Sequence, residues 1–189
     1  TAPPGRRRPR APCASVGRPA ARWSSTPGSR RRWRTTRRRA PLFPWLAEHA
    51  SLQQTRWYLG QEAAGEAGFD DLTAFTQVKL PKRIKLELAR NYWDEMGRGN
   101  AKGMHGPMLE RLIDALDIRP SIEDTVWQSL ALANAMTAMA DRRDHAWHAL
   151  GALGVIELTA PDRSSAVAAG LKRLGVSARD RIYFDLHAT

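Results

Sequence analysis

A carboxylate and an imidazole stand ten residues apart in NYWDEMGRGNAKGMH, Asn91 to His105, with three glycines between them. At 100° per residue, with Ile84 as the origin, Leu88 falls at about 40°, Asn91 at about −20° and Glu95 at about 20°. Glu95 therefore shares the apolar stripe that should face a core. A buried carboxylate is costly unless it meets a cation, a donor or a proton. The same geometry gives a second case: measured from Glu157, Leu150 falls at about 20°, Ala146 at about −20° and Leu153 at about −40°. Near the end of the chain, His187 shares a face with Tyr183 and Phe184. Inward Glu, Glu and His on separate helices of one bundle is the arrangement that carboxylate-bridged metal sites use, and both ligand types suit iron or manganese. Each residue alone also has an ordinary reading. Glu95 could pair with Arg98 or Lys102, and His105 could simply start a helix.

The elements that would position these groups are helical. From Pro41 onward apolar residues recur at helical spacing, punctuated by Gly and Pro, and no segment alternates as a half-buried strand would. The pattern predicts a first helix from about Pro44 to Glu66, ending near Gly68. A second covers LPKRIKLELARNYWDEM after Pro81 and stops at Gly97, and a third runs from about His105 to Leu116. A fourth opens at Pro120 and Ser121 through SIEDTVWQSLALANAMTAMA. HAWHALGALGVIEL is a fifth, stopping before Pro161. SSAVAAGLKRLG is a short sixth, and SARDRIYFDLHA, with Ser177 as N-cap, is the last. The domain expected over residues 41–189 is thus an all-α bundle with short connections.

Residues 1–40 differ in kind. They hold 13 Arg, no Lys and no acid, so the formal charge of +11 resides there; beyond Ala40, 17 basic residues face 19 acidic ones. This Arg/Pro-rich leader has no hydrophobic period and is expected to be disordered. Three readings compete for it: an out-of-frame artefact or inert tail, a phosphate-binding arm with Trp33 stacking on a base, and a transit peptide. The artefact or tail is preferred, so no nucleic-acid partner is expected. The rival is a nucleic-acid-binding or interaction protein using the arm on an inert helical domain. The one cysteine, Cys13, excludes an intrachain disulfide framework and a Cys-based zinc site. No apolar run reaches transmembrane length, and a cytoplasmic protein is the default expectation.

The run from Pro41 to Thr189 resembles the iron-containing redox enzymes of the haem-oxygenase-like diiron oxidase superfamily. QEAAGEAGFDDL, KLELARNYWDEMGRG, KGMHGPML and RIYFDLHA carry the likeness. The resemblance implies a haem-oxygenase-like helical bundle holding two Fe(II) ions, with manganese also compatible. It implies metal ligation by Glu95, His105, Glu157 and His187, with a further acid from the first long helix. Glu66 fits that role better than Glu62, because Glu66 shares a face with Leu52 and Leu59. It implies O₂ and a small organic substrate as partners, an oxidase or oxygenase outcome, and a homodimer as one compatible assembly. The family's remaining Asp and His would fall at positions 191 and 194, so this chain is expected to be a C-terminally truncated fragment without activity. Trp127, Met136, Met139, Trp93 and Tyr92 are candidates for the walls of a substrate cavity, core packing being the alternative for each.

Four other arrangements compete with this one. His145 and His148 form an i, i+3 pair but share no face with Glu157, and they read as surface or second-layer residues. His49, beside Glu48, could imitate the axial ligand of a haem. A thiaminase-like relative would need a nucleophilic cysteine that the bundle lacks, and the ferritin-type Glu-x-x-His motif is absent.

Overall fold

The computed structural model describes residues 41–66 and 68–188, except for the side chains of residues 65 and 66. The leader, Cys13 and the Glu66 carboxylate therefore lie outside the described residues. Eight α-helices make up the described chain: α1 Leu42–Glu48, α2 Leu52–Glu66, α3 Phe69–Thr76, α4 Lys82–Glu95, α5 His105–Ala115, α6 Trp127–Asp141, α7 Ala146–Arg173 and α8 Ile182–Leu186. Among the described residues there is no strand, and no helix is long and apolar enough to cross a membrane.

Two apolar clusters organise the bundle. One joins α1, α2, α5, α8 and the second half of α7 through Leu46, Leu59, Leu112, Leu171 and Phe184, all buried. The other joins α4, α6 and the first half of α7 through Leu88, Met136 and Leu153. Helix α7, about 42 Å long at 1.5 Å per residue, thus runs through both. Its interior Pro161 was expected to end a helix, yet α7 continues across it. Proline inside a helix costs about 3 kcal/mol. Burying Leu153 on one side and Val167 and Leu171 on the other contributes about 1.5–3 kcal/mol each, which outweighs that cost.

Other departures from the sequence reading have local causes. The expected first helix is broken at His49–Ser51. Ser51 and Gln54 form a reciprocal cap there: Gln54 N–H donates to Ser51 Oγ at 3.2 Å, and Ser51 N–H donates to Gln54 Oε1 at 2.9 Å. Helix α3 occupies a stretch for which no element was expected. Helix α6 starts at Trp127 because Ser121 folds a turn of its own, accepting from Asp124 N–H at 3.1 Å. Ser177 likewise accepts from Asp180 N–H at 3.2 Å and caps a turn, leaving α8 only five residues.

Helices α1 and α7 approach so closely at Gly170 that a Cβ there would lie 2.4 Å from the Leu46 carbonyl oxygen. Beside it, Arg173 donates to the carbonyls of Ala47 at 2.9 Å and Ala50 at 2.6 Å, satisfying the end of α1.

Candidate metal centre

The centre begins where α4 stops. Gly97, Arg98 and Gly99 all take positive φ, at 59°, 54° and 81°. The chain turns back, and Met96 and Met104 form an isolated antiparallel bridge. A Cβ on Gly97 would lie 2.3 Å from the Gly103 carbonyl carbon, so only glycine fits that crossing. Glu95 and His105 each stand one residue outside the bridge. Ten residues of chain are thereby closed into direct contact between the last residue of α4 and the first of α5.

Glu95 Oε2 and His105 Nδ1 lie 2.9 Å apart, with side chains only 10% and 12% exposed. The approach is not aligned as a hydrogen bond, and His105 Nδ1 is buried with no hydrogen-bond partner among the described residues. Two ligand atoms bound about 2.1 Å from one ion at right angles are about 3.0 Å apart. The Glu95–His105 separation is that of two groups aimed at a shared third position. His187, at the end of α8, completes the group. Its ring meets His105 edge to face with centroids 4.7 Å apart, and ligand atoms of Glu95, His105 and His187 all lie within 4.8 Å of one another. His187 Nδ1 is 2.7 Å from the Tyr183 carbonyl oxygen. A carbonyl only accepts, so Nδ1 carries the proton, and in the neutral imidazole that leaves the lone pair on Nε2. Metal-binding histidines commonly show this division of labour.

Glu157 lines the same cavity but does not join the three-residue group. Its Oε1 accepts from Asn91 Nδ2 at 2.8 Å. The cavity has a volume of about 300 Å³, with Phe69, Leu109, Ile113 and Ile156 among its apolar walls. The aromatic and methionine residues that were candidates for those walls, with core packing as the alternative, lie elsewhere. Trp127 and Trp93 are 72% and 54% exposed, and Trp93 covers Gly99. Met136 lines a second cavity, of about 190 Å³, and Met139 packs against the core shared by α4, α6 and α7. Tyr92 is half-buried away from both cavities.

Glu62 accepts from the Tyr58 hydroxyl and, at 2.9 Å, from Arg163. It lines the second cavity rather than the first. His145 and His148 stack edge to face at 5.4 Å at the start of α7, away from the centre. His49 is exposed at the end of α1, 3.6 Å from Glu48, and offers no enclosed haem site. The carboxyls that ion pairs hold below their ordinary range, Glu87 beside Arg90 and Asp144 beside Arg142, are both on the surface.

The sequence reading missed two contributors. Asn91 was one of them, although its inward position on the Glu95 stripe was a usable signal. The other was the Tyr183 carbonyl, a backbone group that no pattern of side chains announces.

Glu95, His105 and His187 form a group that could hold a metal ion in an all-helical protein. Residues 56–189 match the family described as iron-containing redox enzyme. The chain belongs to that family, whose fold is a haem-oxygenase-like bundle, and it is accordingly an iron-dependent oxidoreductase by class. No curated protein matches it.

Proposed function

We propose that the chain is a non-haem iron oxidoreductase that uses O₂ to oxidise a small organic molecule, with Glu95, His105 and His187 holding one iron and Glu157 serving a second. The observation that carries this reading is the 2.9 Å approach of Glu95 Oε2 to His105 Nδ1 without hydrogen-bond alignment, beside a His187 whose Nδ1 is committed to Tyr183. One carboxylate and two neutral imidazoles give a ligand set suited to iron, with manganese as the nearest competitor.

Bound ferrous iron supplies the electrons for O₂ reduction. The chain's own residues do the rest. Glu95 and Glu157 bring negative charge that offsets the cation. His105 and His187 must stay neutral to ligate, so binding weakens as they protonate in acid. Phe69, Leu109, Ile113 and Ile156 exclude water from a cavity large enough for a small organic substrate.

The test is anaerobic loading with Fe(II), removal of unbound metal, and metal analysis with Mössbauer spectroscopy. The native chain should retain iron in a nitrogen- and oxygen-ligated, non-haem environment. Glu95→Ala and His105→Ala should lose most of it while keeping native helical circular dichroism. Equal retention by both variants would refute the assignment.

A further inference from the structure

Glu157 is held from behind by residues that do not line the cavity. Asn91 Nδ2 donates to its Oε1 at 2.8 Å. Asn91 Oδ1 lies 3.3 Å from the Thr73 hydroxyl, which is also 3.2 Å from the Phe69 carbonyl oxygen. Thr73 is fully buried, at 0% exposure. The three side chains come from α3, α4 and α7.

Hydrogen-bond chemistry fixes the direction of this array. An ionised carboxylate only accepts, so the amide must turn Nδ2 toward Glu157 and Oδ1 toward the hydroxyl that can donate to it. Asn91 cannot flip without facing one acceptor with another. Pro161, four residues on, has no N–H to give to the Glu157 carbonyl.

We infer that Asn91, backed by Thr73, is a positioning residue that holds Glu157 by Oε1 and leaves Oε2 to serve the iron position beyond the Glu95–His105–His187 group. This rests on the metal-centre reading above and adds an order to it. The three converging residues form the tighter position. The Glu157-dependent position is weaker and requires the Asn91 amide.

The experiment uses the full chain and two readouts. In the metal-free protein, side-chain amide NMR should show the Asn91 Nδ2 protons shifted downfield and slowed in exchange. Glu157→Ala should abolish that signature and Thr73→Val should weaken it. In anaerobic Fe(II) titrations, Asn91→Leu should weaken the second binding step by about 10–100-fold, the range typical of lost outer-shell partners. The first step should stay within about threefold. Thr73→Val should weaken the second step less, and Thr73→Ser should restore it. A purely structural role for Asn91 would lower stability and shift both steps together, which would overturn the inference. So would a metal-free protein without the NMR signature. A clear signature in a chain that binds no iron would instead sink the metal-centre reading, and with it any service Asn91 renders to it.

Discussion

Gly97→Ala puts the geometry of the centre to its sharpest test. Alanine at φ 59° meets the left-handed penalty of roughly 1–2 kcal/mol. Its Cβ would start 2.3 Å from the Gly103 carbonyl carbon and 2.5 Å from Met104 N, where ordinary contact begins at 3.4 Å. These are backbone atoms and cannot swing away, so the two arms of the Met96–Met104 bridge must part by about 1 Å, an overpacking cost of about 1–3 kcal/mol. The total, about 2–5 kcal/mol, corresponds to a Tm lower by roughly 4–20 °C for a domain of this size. The functional consequence follows from the same displacement. Glu95 and His105 flank the bridge, so their 2.9 Å separation should open toward 4 Å, beyond what one ion can span at right angles. Iron affinity should fall at least tenfold in protein that is still folded at the assay temperature. Thermal melts followed by circular dichroism, paired with anaerobic Fe(II) titration, read the two effects separately. Gly151→Ala is the control, since a Cβ there meets nothing within 4 Å; it should be neutral, or stabilising by up to about 1 kcal/mol. A Gly97→Ala protein that keeps native iron affinity would show that the bridge does not set the Glu95–His105 distance.

Other expectations concern the frame around the centre. Ser51→Ala should cost about 1 kcal/mol by removing the cap of α2, with Ser51→Asp retaining most of it in denaturant melts. Arg163→Met removes the 2.9 Å ion pair with Glu62; the pair is largely buried, at 22% and 11% exposure, and the loss should be about 2–3 kcal/mol, partly recovered in the double variant with Glu62→Gln. Gly170→Ala should cost about 1–3 kcal/mol by driving α1 away from α7, seen as early proteolysis near Ala50. At the surface, Arg90 lowers the Glu87 carboxyl pKa, so the pair's stabilisation is present above Glu87's ordinary value and lost as pH falls through the depressed one. Arg90→Met should return that carboxyl toward its ordinary value in an NMR titration.

Periodicity was enough to find α4, because Pro81 and Gly97 mark its limits and the apolar stripe between them is regular, and it found α5 over His105–Ala115 as well. It also put Glu95, Glu157 and His187 on inward faces. It failed where side chains bond to nearby backbone. Ser51, Ser121 and Ser177 each take hydrogen bonds from local N–H groups, and each shifts a helix start that apolar spacing alone misplaces. Pro161 misled for the opposite reason, since tertiary burial on both sides of it overrides a strong local stop. At the centre, an angle on one helix says which way a carboxylate points but not what meets it from another. Nothing in the spacing of Glu157 indicates that Asn91 donates to its carboxylate.

The Met96–Met104 crossing has a consequence for how the protein acquires its metal. Glu95 and His105 are brought together by a single short excursion of chain, a closure of the kind that takes tens of nanoseconds, whereas His187 arrives only when α8 docks. Two of the three ligands proposed for one iron can thus come together before His187 is in place. On the proposed ligation, an ion caught early by Glu95 and His105 would favour the docking of α8, and iron supply would then be thermodynamically linked to completion of the fold.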